Sequence, residues 1–169
     1  MSEIRLQYST ASSFGAWAIR YWSAGLWSHV DTVLPDGRLL GARSDVLKGV
    51  PAGVQIRPSN YEDFTGTAVV SLPCSPEALK AYSDFETLQL GKPYDEIGIG
   101  GFIIPSLVKR QDDWRDPSAW FCSELKQAAL EASGLMPKID FPDNKVTPVA
   151  SYCMVQIAGG KIIREWSAL

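Results

Sequence analysis

Hydrophobic and polar residues alternate along 3–8 (EIRLQY), the period-two pattern of a strand with one buried face. Ser12 or Ser13 then offers a helix cap. Phe14, Trp17, Ala18 and Tyr21 fall on one face of a helix over 14–22, with Gly25 as its stop. A β-branched stretch over 29–34, the Pro35-Asp36-Gly37 turn and a returning stretch over 38–43 predict a hairpin. Short strands are expected over 54–57, stopped by Pro58, and over 67–72. Pro76 opens a helix over 77–90 that Gly91 ends, with Leu79, Tyr82, Phe85, Leu88 and Leu90 apolar. Residues 92–119 hold an apolar run from Ile97 to Ile104 and then a polar stretch, and read as helix pieces and loop. A helix starting at Ser118 or Ser123 runs through Ala132 and closes at Ser133-Gly134. Residues 135–148 carry three prolines and read as loop, and strands over 152–158 and 161–165 flank the Gly159-Gly160 turn. Mostly antiparallel strands with few helices predict an α+β fold rather than a doubly wound sheet.

Composition narrows the class. The 169 residues suit a single domain over 1–169, long enough to bury about 70% of the surface of the unfolded chain. Six each of Phe, Trp and Tyr and 46% hydrophobic residues exclude a disordered chain. The net charge of -3 implies no broad basic surface, so no nucleic-acid partner is expected. No apolar run approaches the roughly 20 residues that span a bilayer, and no secretory signal is visible. The expected setting is therefore cytoplasmic, with a phage-borne enzyme released by lysis as the alternative. Cys74, Cys122 and Cys153 are too few and too far apart for a disulfide framework or a paired metal motif. With one histidine, no zinc site and no cofactor are expected.

That count channels any imidazole chemistry through His29, in Trp27-Ser28-His29-Val30-Asp31 at the start of a predicted strand. Cys122 stands at the start of a predicted helix in Trp120-Phe121-Cys122-Ser123-Glu124-Leu125. A helix N-terminus favours a thiolate, an imidazole can hold the proton, and free helix N–H groups can stabilise an oxyanion. By spacing alone, Cys122 also suits a small buried hydrophobe and His29 a structural residue.

Gly91-Lys92-Pro93-Tyr94 followed by Phe121-Cys122-Ser123-Glu124-Leu125 resembles the G-x-P-Y … D-C-S-G-L segment of NlpC/P60 cysteine hydrolases. Here the histidine precedes the cysteine, in Ser28-His29-Val30. That order is similar to the circularly permuted papain-like branch, which includes the YiiX/YebB-like and lecithin:retinol acyltransferase-like proteins. The resemblance runs from about residue 26 to 158. It implies a permuted papain-like fold, with a small antiparallel sheet packed on the cysteine helix. It implies Cys122 as nucleophile and His29 as general base, with Tyr94 beside the nucleophile; the tyrosine also suits a core position.

The family's orienting acid stands on the strand after the Asp-Gly turn, and the position aligned with it is Gly41, which has no side chain. Asp31 is the first replacement, because residues i and i+2 of a strand share a face. Asp45 is the second, since a two-residue turn at Asp36-Gly37 would set Ser44 opposite His29. Glu124, in the first turn of the helix, reads as structural, and Cys74 and Cys153 as buried packing residues. Trp17, Tyr21, Trp22, Leu26 and Trp27 read mainly as core, the remainder as the wall of an acyl-binding groove. Residues 109–116 read as a solvated loop or a lid. Together the resemblance implies a hydrolase acting on an amide, as in a cell-wall peptide. The alternatives are a lipid acyl ester or thioester hydrolase or acyltransferase, and a non-catalytic module that keeps the fold.

Overall fold

In the computed structural model, residues 2–95, 118–138 and 146–167 are described. Six strands form one antiparallel sheet: β1 (Ser2–Ala11), β2 (His29–Val33), β3 (Leu39–Arg43), β4 (Gly53–Arg57), β5 (Phe64–Cys74) and β6 (Lys161–Ser167), in the order β4-β3-β2-β1-β5-β6. Among the described residues there are four helices: α1 (Phe14–Ser23), α2 (Pro76–Leu88), α3 (Cys122–Ala132) and α4 (Pro148–Ile157). The α+β class follows.

Local chemistry explains the helix starts. Ser13 accepts from Ala16 N at 3.2 Å, Ser75 from Ala78 N at 3.1 Å and Thr147 from Ala150 N at 3.0 Å, each satisfying a donor with no partner inside its helix. Pro76 and Pro148 occupy first-turn positions where a missing N–H costs nothing. The expected strand over 152–158 is instead α4. Val149, Tyr152 and Val155 recur at three-residue spacing and pack into the core, while Cys153 on this helix is exposed rather than buried. Gly159-Gly160 therefore joins a helix to a strand. Cys74 ends β5, half-buried.

The sheet's two faces differ. Leu6, Tyr8, Val30, Ala68 and Val70 point to the helical side and form the main core with Tyr82, Leu130 and Val155. Leu40, Ala42 and Val54 continue that face toward β4, packing with Trp120 and Leu125. The alternate residues Ser9, His29, Asp31 and Gly41 belong to the other face. Helix α3 is enclosed almost all round, so its polar residues need partners. Lys126, with no exposure, forms an ion pair with Glu86 of α2 and donates to Leu40 O at 2.8 Å. Thr32 donates to Glu86 at 2.9 Å and its hydroxyl lies 2.8 Å from that of Tyr82. A hydrogen-bonded ion pair thus links α2, α3, β2 and β3 where a loose layer of side chains would let them slide.

Two further corrections concern the sheet and α1. The hairpin closes through Leu34 N to Arg38 O at 2.8 Å, and pairs Thr32 with Leu40. Continued back, that register puts Gly41 opposite Asp31 and Arg43, not Ser44, opposite His29. Of the aromatic N-terminal patch, only Trp27 is core; Phe14, Trp17 and Tyr21 stack along the outer side of α1 at 5.6 and 5.5 Å. The segment 109–116, read as a solvated loop or a lid, the apolar run from Ile97 to Ile104 and part of the 135–148 loop lie outside the described residues.

The buried ion pair generates a stability prediction. Lys126→Met strands the Glu86 carboxylate in the core and should cost roughly 3–5 kcal/mol, whereas the Lys126→Met/Glu86→Leu double variant should recover much of that. Urea unfolding of the four proteins reads the coupling.

Candidate active site

Cys122 begins α3. Its N-cap, Phe121, has no capping side chain; Glu124 instead reaches back to accept from Phe121 N at 3.3 Å. This structural role for Glu124 ties down the turn that presents the thiol. Cys122 is 1% exposed and packs in the cluster containing Tyr8, Trp27 and Val30.

His29 opens β2, aligned with Ser9 of β1. The preceding residue is fixed by Ser28 N donating to Ser9 O at 3.0 Å. His29 Nε2 lies 2.9 Å from Asp31 Oδ1. Nδ1 is therefore the nitrogen left for the thiol. Burial disfavours the imidazolium, but the charge of Asp31, the charge of Cys122 and hydrogen bonds to both outweigh it and raise the His29 pKa to about 9. Asp31 shows the converse. Burial opposes its ionisation, yet the charge and hydrogen bond of His29, the charge of Lys126 and the Tyr61 hydroxyl hold its pKa down to about 2.

The space for Asp31 comes from Gly41. A Cβ placed on Gly41 would overlap Asp31 Oδ1 outright. The glycine at the position where the resembling family carries its acid is thus what admits an acid from the neighbouring strand. Asp45 is occupied elsewhere. It accepts from Arg43 at 2.8 and 3.0 Å, and Arg43 also pairs with Glu62 at 2.6 Å.

Tyr94 arrives through the edge of the sheet. Gly91 N donates to Val54 O and Val54 N to Lys92 O, both at 2.9 Å. Gly53, at φ +99°, makes room for this approach, since a Cβ there would strike Lys92 O. Tyr94 then bridges in parallel with Trp120, two residues before Cys122. Burial, then the charge of Cys122, pushes its hydroxyl well above the ordinary tyrosine pKa, so it remains a donor.

These groups meet beside a cavity of about 480 Å³. Its lining includes His29, Tyr94 and Phe121, the charged Arg43, Asp45 and Glu62, and Ala18, Ile19 and Trp22 of α1, while Cys122 lies just behind Phe121 in the chain and outside the lining. The structure thus brings His29, Cys122, Asp31 and Tyr94 together and leaves Asp45 at the rim.

The sequence matches no known protein-family model and no curated protein. The fold is similar to that of the YiiX metalloprotein of Escherichia coli O157:H7, at 16% identity and a TM-score of 0.50. The match covers 78% of this chain and 66% of that one, so this chain spans just under two thirds of YiiX. Among the described residues no group of three or more His, Cys, Asp or Glu side chains is placed to hold a metal ion. With Asp31 committed to His29 and Tyr61, the donor set here does not fit one. Among those residues, too, no helix is long and apolar enough to cross a membrane.

Sequence reasoning missed three residues around Asp31. Tyr61 donates to Asp31 Oδ2 at 2.7 Å. Arg57 is buried and donates to Gly41 O at 3.0 Å, holding the strand segment that leaves Asp31 its space. Lys126 adds positive charge from the helical side. Only Lys126 had a signal, its position one turn after Cys122 on the same helix.

Two predictions follow from this geometry. Gly41→Ala should destabilise the protein by about 1–3 kcal/mol through overpacking, while Gly41→Ala added to Asp31→Ala should cost far less than it does alone, as read by a urea double-mutant cycle. The His29–Asp31 pair also sets a pH dependence. The raised His29 pKa gives stability that is complete below its ordinary 6.5 and is lost as pH rises through about 9. The lowered Asp31 pKa gives stability present above its ordinary 3.8 and lost as pH falls through about 2. The unfolding midpoint should therefore hold level between these ordinary values and fall toward pH 9, and Asp31→Asn should flatten the alkaline fall.

Proposed function

We propose that this protein is a cysteine hydrolase of the permuted papain-like, NlpC/P60 type, with Cys122 as nucleophile, His29 as general base and Asp31 as the acid that orients the imidazole. The observation that carries this reading is that the only histidine, which lines a substrate-sized cavity, interacts with both the Asp31 carboxylate and the Cys122 thiol. The family resemblance and the YiiX-like fold support it.

The chemistry runs in two halves. The Cys122 thiol gives its proton to His29 Nδ1, and sulfur attacks the carbonyl carbon to give a tetrahedral oxyanion. First-turn N–H groups of α3 face that charge, with the Tyr94 hydroxyl as a further donor. The carbon–nitrogen bond breaks as the imidazolium protonates the leaving amine, leaving a thioester on Cys122. Water then gives a proton to His29 and attacks the thioester. The acid departs, and the proton returns to sulfur. Asp31 keeps Nε2 protonated throughout and stabilises the imidazolium.

The leading substrate is an amide, as in a cell-wall peptide. A lipid acyl ester or thioester is the second reading, favoured by the apolar wall that α1 gives the cavity.

A panel of amide, ester and thioester electrophiles tests this assignment. Wild type should label at Cys122, His29→Ala and Cys122→Ala should lose labelling, and Asp31→Asn should retain roughly 10⁻²–10⁻⁴ of the wild-type rate. The ranking of electrophiles decides between amide and ester. If wild-type Cys122 reacts no faster than a free thiol at every pH, the protein is a non-catalytic member of the fold.

A further inference from the structure

Asp31 meets His29 with one oxygen, and the destination of the other decides whether that meeting lasts. Asp31 Oδ2 accepts from the Tyr61 hydroxyl at 2.7 Å. Tyr61 lies on no strand. It sits in the connection from β4 to β5, with its backbone N donating to Pro58 O at 3.1 Å, yet it is 1% exposed. A buried phenol needs a polar partner. Here the hydroxyl donates to the carboxylate that is bonded to the chain's only imidazole, and it accepts from Arg43 Nη1 at 3.4 Å.

The surroundings make that bond consequential. A carboxylate turns easily about its terminal torsion, whose energy profile is broad. A rival donor is at hand. Arg57 is a buried cation held by the carbonyls of Gly41, Pro51 and Gly53, and the charge of Asp31 is the strongest of those that favour its charged form. Its Nε has no hydrogen-bond partner among the described residues. An unpartnered guanidinium N–H in the interior is a strong attractor for a carboxylate. If Asp31 turned to it, His29 would lose its acceptor. Tyr61 already holds the second Asp31 oxygen, and the Arg57 guanidinium stands 6.0 Å from the Tyr61 ring centre. Tyr61 is itself immobilised. Phe64 packs edge-on at 5.3 Å, and the Arg43 guanidinium stands 5.2 Å from its ring centre, clamped by Asp45 and Glu62.

We infer that Tyr61 is a positioning residue: its hydroxyl holds the Asp31 carboxylate turned toward His29 and away from Arg57, and it acts on the Cys122 reaction only through that carboxylate. This rests on the reading of Cys122 and His29 as a nucleophile–base pair.

The experiment uses the full chain and two readouts. Iodoacetamide alkylation of Cys122 at pH 7 is compared in wild type, Tyr61→Phe, Asp31→Asn and the double variant. Tyr61→Phe should slow alkylation by roughly tenfold, and the double variant should react at the rate of Asp31→Asn alone. Proton NMR of the single imidazole should show one resolved downfield Nε2–H resonance in wild type that broadens or shifts in Tyr61→Phe. A folded Tyr61→Phe with unchanged rate and resonance overturns the assignment, as does a double variant slower than Asp31→Asn by the full Tyr61→Phe factor. If Tyr61→Phe does not fold, wild type labelled with ¹³Cζ-tyrosine answers instead. A Tyr61 resonance that moves with the imidazole titration supports the coupling, and one that does not move overturns it. Should wild-type Cys122 prove as slow as a free thiol while the NMR signature behaves as expected, the hydrolase reading falls and the positioning role stands.

Discussion

The arrangement around the imidazole depends on a missing atom. Strand β3 has no Cβ at Gly41, and the carboxylate of Asp31 fills the gap. Without that space, Asp31 could not lie flat between β2 and β3 with one oxygen on His29 and the other on Tyr61. Because the imidazole and its acid are then two residues apart on one strand, their separation is set by the local pleat rather than by the pairing of two strands. The carboxylate is buried, so it stays charged only because donors and cations surround it on every side: His29 beside it, Tyr61 behind it, and Lys126 from below.

The thiol reaches this pair through a different set of constraints. Helix α3 carries Cys122 on its first turn and Lys126 one turn later, and Lys126 is fixed to Leu40 O and Glu86. Leu40 is the chain neighbour of Gly41. The cation that anchors the helix bearing Cys122 therefore bonds to the same strand segment that makes room for Asp31. Arg57 grips that segment from β4 through Gly41 O. Cys122, His29 and Asp31 come from a helix and a strand, yet all three are referenced to residues 40 and 41 of β3.

Most of the scaffold could be read from the chain. Alternation in β1, the Asp36-Gly37 turn, the Ser13 cap, the Pro76 helix start and the α3 start at Cys122 all express local preferences that tertiary structure did not override. Misreadings arose where a local pattern served two masters. The apolar run ending at Ile157 suits strand or helix by composition, and the Thr147–Pro148 cap that decides for helix was read as loop. The Pro35-Asp36-Gly37 turn is legible, but its loop is three residues rather than two, and that single residue puts Arg43 in the place expected of Ser44. At the site, Cys122, His29, Asp31 and Tyr94 each stood in a legible local context. Tyr61 and Arg57 did not, since a loop tyrosine and a strand arginine acquire their meaning only from the carboxylate they surround. The aromatic residues of α1 misled for a related reason: an apolar stripe marks a face but not which side of the helix the sheet will cover.

The docking of Gly91 and Lys92 on the edge of β4 has an energetic corollary. The segment that leads to Tyr94 is tied by two hydrogen bonds to an edge strand and by the bridge to Trp120, while the Tyr94 side chain packs against the core. Edge segments open by local fluctuations that cost less than global unfolding. Opening of the Gly91–Lys92 pairing on β4 is thus an equilibrium separate from global unfolding. Amide exchange at Val54 and Gly91 would report that equilibrium directly.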